Sequence, residues 1–374
     1  MASVRKLTLG FVLAVALATG LVPAVGAQAQ KPRLTVYSSL PLQGASRPQT
    51  LAVVRGAQLA LAQRGHEAGG NRIRYVSLDD STARAGHWTP QAASRNARRA
   101  ATDPSAIAYI GEFNSGATAI SLPILNEAGI AQISPSNTAI GLTRDLPGAA
   151  PGEPDKYYPR GMRTYVRIAA NDTVQGGALA VAMQQRGCSR VAAFHDGELY
   201  GRGVGHWVRL WTKQLGMRIV LARRIRPSAA HYRRQARAAR RARAGCTVFT
   251  GITANNAVQL FNDLGRALPH AKLFGSDGVA ESGCADPREG GIRRRVARRV
   301  FVSVGTLAPS ALPPAGQAVV AEYRRRYGDR NPDPYAVNGY EAMQLVLDAV
   351  AAAGASRDGE IGRASCRERV LDHV

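Results

Sequence analysis

Cysteine, lysine, aromatic residues and acidic charge are all scarce in this 374-residue chain. Only four cysteines occur, with no CxxC pair and no Cys/His cluster, so the spacing that builds a structural zinc site is missing. Aromatics make up 6% of the residues and do not alternate with basic side chains, as a surface for stacking single-stranded bases requires. Asp and Glu number 26 against 49 Lys and Arg, a formal charge of +23, yet only five of the basic residues are lysine. The arginine excess is spread along the chain, and its densest run, Arg233 to Arg243, has the spacing of a solvated helix face. Composition therefore argues against a nucleic-acid partner in spite of the charge. Hydrolase and phosphate-binding signatures (GxSxG, HExxH, GxxxxGK[ST]) are absent, and GRGVG at Gly201 lacks the rest of a dinucleotide fingerprint. An enzyme is disfavoured, and neither a cofactor nor a metal is expected.

The ends differ in character from the middle. Residues 1–29 have the order of a secretory signal: a basic head (Arg5, Lys6), an apolar stretch from Leu7 to about Val22, then small residues that set a cut after Ala27 or Ala29. Gly20 and Pro23 break the apolar stretch, which is short for a spanning helix. Export is expected, to the periplasm or the outer face of the cytoplasmic membrane. No cysteine stands at the cut to carry a lipid. At the other end, Ile361 to Val370 can be back-translated into a common short-read library adapter. Residues 361–374 are therefore expected to be a non-native tail, with the native frame lost near Glu360. About 330 residues remain, enough for two domains with cores of their own.

Between the ends, β-rich apolar runs alternate with helical ones. LTVYSSL, IRYVSLD, AIAYIG and IAQIS read as strands, separated by helices at Leu51 to Gln63, Gln91 to Ala101 and Ala117 to Glu127. A Pro/Gly-rich loop follows, Leu146 to Pro159, and the rhythm restarts with MRTYVRIA, VAAFHD, MRIVLARRI, TVFTGI and KLFGSDG. Strands alternating with helices of this length argue for crossover units and parallel sheets. We expect an α/β chain of two layered lobes: residues 30–165, residues 166–298, and a return to the first lobe over 299–360. Cys188 and Cys246 each precede a predicted strand, which leaves open both a disulfide and two buried thiols.

In parallel sheets ligands bind beyond the carboxyl ends of the strands. GEFNSGAT after AIAYIG places Ser115 at a helix start, where free N–H groups suit a carboxylate. SPSNT after IAQI supplies Ser136 and Thr138; GELYGRG after VAAFHD supplies Tyr200; and GSDG after KLF supplies Asp277 on a turn. Taken singly, each has an ordinary structural explanation, as a helix cap or a turn residue. Their convergence on strand ends in both lobes is what marks them.

The segments RGAQLALAQ, YIGEFNSGATAISLPILNEAGIAQISPSNT, MRTYVRIAANDTVQGGALA, AAFHDGELYGRG, LFGSDGV and PYAVNGYEAMQLVLDAV together resemble the type I periplasmic binding proteins, specifically the branched-chain amino-acid (Leu/Ile/Val) binding family of ABC importers. The resemblance implies two Rossmann-like lobes joined by a hinge, with a small ligand (an amino acid or a related amide or carboxylate) held between them and handed to a membrane permease. It implies that Ser115, Ser136 and Thr138 take the ligand's carboxylate and part of its ammonium. It implies further that Asp277 meets the ammonium, that Tyr200 lines the cleft, and that Asp172 lies nearby or caps the helix from Thr173. A monomer is expected. A ligand-sensing receptor or regulator domain of the same fold remains the alternative. Two departures stand out: SLPLQGASRPQT lacks the usual Gly-Pro pair after the first strand, and ITANN replaces a segment where amino-acid binders often carry aromatics. The expected loss of frame also removes elements that complete the first lobe and its hinge.

Overall fold

Two parallel sheets, each flanked by helices, account for the chain in a computed structural model that describes residues 33–354 and 356–357. The expected signal and tail lie outside the described residues. The first sheet contains β1 (Arg33–Leu40), β2 (Glu67–Ala68), β3 (Asn71–Asp79), β4 (Ala106–Gly111), β5 (Ala131–Ser134) and β6 (Tyr165–Arg167). Its order is β2-β3-β1-β4-β5-β6, with only the short β2 antiparallel. The helices are α1 (Arg47–Gln63), α2 (Pro90–Thr102) and α3 (Ser115–Glu127). α1 begins four residues before the expected Leu51, because Pro48 in its first turn is pre-set for the helix and has no N–H to lose.

The second sheet holds β7 (Arg190–His195), β8 (Arg218–Arg224), β9 (Cys246–Thr250), β10 (Lys272–Gly275) and β11 (Val300–Val302), all parallel, in the order β11-β10-β9-β7-β8. Around it lie α4 (Asp172–Gln185), α5 (Leu199–Gln214), α6 (Arg233–Arg241), α7 (Ala257–Ala267) and the short α8 (Ser282–Ala285) and α9 (Arg294–Ala297). On α6 only Ala236 and Ala239 are buried, three residues apart on one face, and the arginines face water. Among the described residues no helix is long and apolar enough to cross a membrane.

β11 corrects the expected division of the chain. The sequence suggests a return to the first lobe at residue 299, but β11 pairs with β10, and Phe301 stacks on Phe274 with ring centroids 5.3 Å apart. The chain leaves the second sheet only after Val302. Likewise β6 pairs with β5, so the first sheet runs to Arg167. α10 (Pro314–Tyr327) and α11 (Tyr335–Ala353) then pack on the first lobe, where α11 shares a core with α1, β1 and β4. The two helices cross at glycines. A Cβ on Gly56 would sit 2.0 Å from the Ala336 carbonyl, and one on Gly339 would sit 2.1 Å from that of Val53.

Leaving β2 aside, both sheets run second, first, third, fourth, fifth in chain order. Each therefore has a switch point between its first and third strands, β1/β4 and β7/β9, where loops diverge at the carboxyl ends and open a crevice. Cys188 and Cys246 form a disulfide at the opposite, amino ends of β7 and β9, with Cα atoms 5.8 Å apart. Cys284 is a buried free thiol.

Candidate functional site

The turn after β10 delivers Asp277 into the seam between the lobes, where its carboxylate is buried and gathers three side chains. Tyr200, in the first turn of α5, donates its hydroxyl to Oδ1 and accepts from the Gly278 amide at 3.2 Å. Gln175, one turn into α4, donates to Oδ1 at 2.5 Å. Tyr335, at the start of α11 and so from the other lobe, donates to Oδ2 at 2.7 Å. Burial, and then the Asp277 charge, hold both phenols well above their ordinary pKa, so both stay protonated as donors.

Tyr335 also ties this cluster to the first lobe's loops. Its ring meets Phe113 edge-on, with centroids 5.5 Å apart, in the loop between β4 and α3. The Phe113 carbonyl in turn accepts from Ser136 Oγ at 2.7 Å and from Asn137 Nδ2 at 2.8 Å. Three residues along α11, Asn338 donates to the Pro135 carbonyl at 2.7 Å. The start of α11, the loop after β4 and the SPSNT loop are thus one bonded unit.

The hydroxyl residues expected in the site are all buried there, but among the described residues none bonds to Tyr200 or Asp277. Ser115 opens α3 and accepts from the Ala139 amide at 3.4 Å. Ser136 is committed to Phe113, and Thr138 lies against Asp172, whose amide donates to the Thr138 carbonyl at 2.8 Å. These residues knit the two loops together and leave the amino end of α3 facing the seam's loops. Asp172 is fully buried as the first residue of α4, while the side chain of Asn171 caps that helix. Burial raises the Asp172 carboxyl to about 7 against the pull of Thr138, Arg167 and the Ile140 amide. Gly203 of α5 gives it room, since a Cβ there would lie 2.1 Å from Asp172 Oδ2.

Further contacts close the seam. Ser46 donates to Glu281 Oε1 at 2.6 Å, and Gln49 to the Ala280 carbonyl at 3.0 Å, both from the first lobe to the second. Trp88 lies near Glu198, and Gly116 accepts its ring, a Cβ there falling 2.8 Å from Trp88 Cζ2. In the ITANN segment, Asn255 donates to Asp196 at 2.9 Å and to Glu198 at 2.7 Å, both in the loop after β7.

Tyr335, Gln175, Trp88 and Glu281 were not singled out from sequence. Gln175 stands three residues after Asp172 in the quoted DTVQG run, one helical turn along the same face, and that spacing was a usable signal. Tyr335 stands in the quoted PYAVNGY run, but that run falls within a helix in the last part of the chain and not after a strand, where the site residues were sought.

With this geometry in place, three kinds of comparison bear on the fold. The sequence profile described as a periplasmic binding protein matches residues 38–371. An amino acid binding protein of Pseudomonas aeruginosa is 26% identical over 292 residues, which is 77% of this chain and 69% of that one. A leucine binding protein, LivK, of Thermotoga maritima has a similar structure with a TM-score of 0.72 at 21% identity, over 90% of this chain and 88% of its own. LivJ of Streptococcus pneumoniae, in complex with isoleucine, gives 0.70 at 19% identity, over 90% and 88%. A solute binding protein of R. palustris in complex with 4-hydroxybenzoate gives 0.72 at 15% identity, over 89% and 84%.

Proposed function

The chain belongs to the periplasmic binding protein family, and we propose that it is exported and serves as the solute-binding component of an ABC importer, without catalysing a reaction. The observation that carries this reading is Asp277. It is a buried carboxylate at the carboxyl end of β10, bonded by Tyr200 and Gln175 of its own lobe and by Tyr335 of the other.

An ionised carboxylate accepts at about four lone-pair positions, and the three side chains leave room for one further donor. An ammonium group is the donor that also neutralises the charge. The ligand class is then a small zwitterion, an α-amino acid or a close relative, with its ammonium on Asp277. Its carboxylate is directed to the amino end of α3 and the SPSNT loop, where Ser115, Ser136 and Thr138 stand. Ser136 exchanges its bond to the Phe113 carbonyl for one to the ligand, and Asp172 keeps the start of α4 docked to the same loop. Contacts from both lobes to one ligand favour the closed form, which a permease distinguishes from the open one.

The test is a calorimetric titration of the purified chain with the common L-amino acids and, separately, with 4-hydroxybenzoate. We expect saturable one-to-one binding of at least one amino acid, none of the aromatic acid, and no product by mass spectrometry. Binding of the aromatic acid alone, or turnover of a bound compound, contradicts the proposal.

A further inference from the structure

We propose that the second lobe holds a separate anion site on the α5 side of its sheet, for a compact inorganic oxyanion of the phosphate or sulfate kind. A cavity of about 310 Å³ lies there, between α5 and the carboxyl ends of β7 and β8. Ala193, Ala222 and Gly205 are too small to fill it, and the side chains of Arg209, Arg224 and His195 line it. No carboxylate does, and the cavity shares no lining residue with the Asp277 cluster.

Among the described residues neither the Arg209 nor the Arg224 guanidinium has an ion-pair partner, while Arg223, in register with Phe194, points to the other face of the sheet. Arg209 is half-buried, which lowers its pKa, an indication that desolvation is not offset by a neighbouring charge. Like charges held around a concave, low-dielectric wall focus a positive potential into it. Arg224 is held in place by the turn after β7. Gly197 has a φ of +93°, and a Cβ on it would lie 2.2 Å from Arg224 Nε, so only glycine lets the guanidinium lie across that turn.

His195 supplies the third group. Its Nδ1 is buried and finds no hydrogen-bond partner among the described residues. Burial, followed by Arg209, Arg224 and Arg202, lowers the pKa of the ring, which is therefore neutral near pH 7 and has one N–H to give. Guanidinium forks and a single neutral N–H suit an oxyanion with several acceptor oxygens better than they suit chloride.

The test is calorimetry of the full chain with sodium phosphate and with sodium sulfate, at constant ionic strength set by chloride. We expect saturable one-to-one binding that weakens at least about tenfold in the Arg209→Gln/Arg224→Gln double variant. It is also expected to be lost in Ala222→Met, which fills the cavity without changing any charge. The Arg233→Gln/Arg237→Gln variant on α6 should bind as the parent does. The proposal is overturned if neither anion saturates, if the α6 variant loses as much affinity as the Arg209/Arg224 variant, or if the latter binds unchanged. Amino-acid affinity in the Arg209/Arg224 variant stays at the parent value, so the outcome is independent of the cleft.

Discussion

Tyr335, at the start of α11 in the first lobe, donates a 2.7 Å hydrogen bond to Asp277 Oδ2 at the end of β10 in the second. This single bond spans the seam and ends on a carboxylate that two residues of the second lobe also hold. Hydrogen bonds to charged groups contribute about 1.5–3 kcal/mol, so Tyr335→Phe, which keeps the ring against Phe113, removes a measurable share of lobe closure. We expect affinity for the cognate solute to fall by about tenfold in calorimetry, with the melting temperature changed by only a few degrees.

Glu281 makes closure sensitive to pH. It is 5% exposed, bonded to Ser46 across the seam, and raised by burial from 4.5 to about 7. Between about pH 4.5 and 7 the closed protein holds a proton here that the solvated group has lost, so closure weakens as pH rises through that window and levels off above it. Glu281→Gln keeps the shape without the proton equilibrium. Small-angle scattering of the parent from pH 5 to 8 should show a growing open fraction, and the variant a flatter response. An equal response in both removes Glu281 from this role.

The α1–α11 crossing leaves no room for a methyl group. Gly339→Ala places a Cβ 2.1 Å from the Val53 carbonyl, a backbone atom that cannot swing aside as a side chain does. Overpacking of this kind costs about 1–3 kcal/mol or more. Urea titration followed by circular dichroism should show the unfolding free energy fall by that amount, with a lower midpoint at an unchanged slope. A midpoint equal to the parent's would mean that the helices separate freely.

The Cys188–Cys246 bridge closes a loop of 58 residues within the second lobe. On the chain-entropy account such a loop restrains the unfolded lobe by about 4 kcal/mol. Replacing both cysteines with alanine should lower the urea midpoint of the second lobe correspondingly. Solute affinity in calorimetry should hardly change, because the bridge lies at the strand ends opposite the cleft.

Much of this was legible because it is local. Alternating strand and helix patterns place the turns, so that Tyr200 and Asp277 could be put past strand carboxyl ends from the sequence, and there the two are hydrogen-bonded. What stayed hidden is long-range. Tyr335 reaches Asp277 across 58 residues and a lobe boundary, and no spacing in the chain announces it. A short apolar run such as VFVSVG shows that a strand forms but not which sheet it joins; the Phe301–Phe274 stack decides that. Ser115 and Ser136 stand at the helix start and in the loop expected of them, and their hydroxyls bond to backbone there, as short hydroxyl side chains commonly do.

The measurement that bears most directly on the whole account is calorimetry of Asp277→Ala against the amino acid that the parent binds best. Removing the carboxylate leaves a desolvated ammonium without its counter-charge, a loss of about 2–5 kcal/mol. We predict an affinity lower by about thirtyfold or more, with the fold intact by circular dichroism. Unchanged affinity in the folded variant contradicts the assignment of Asp277 as the residue on which the lobes close.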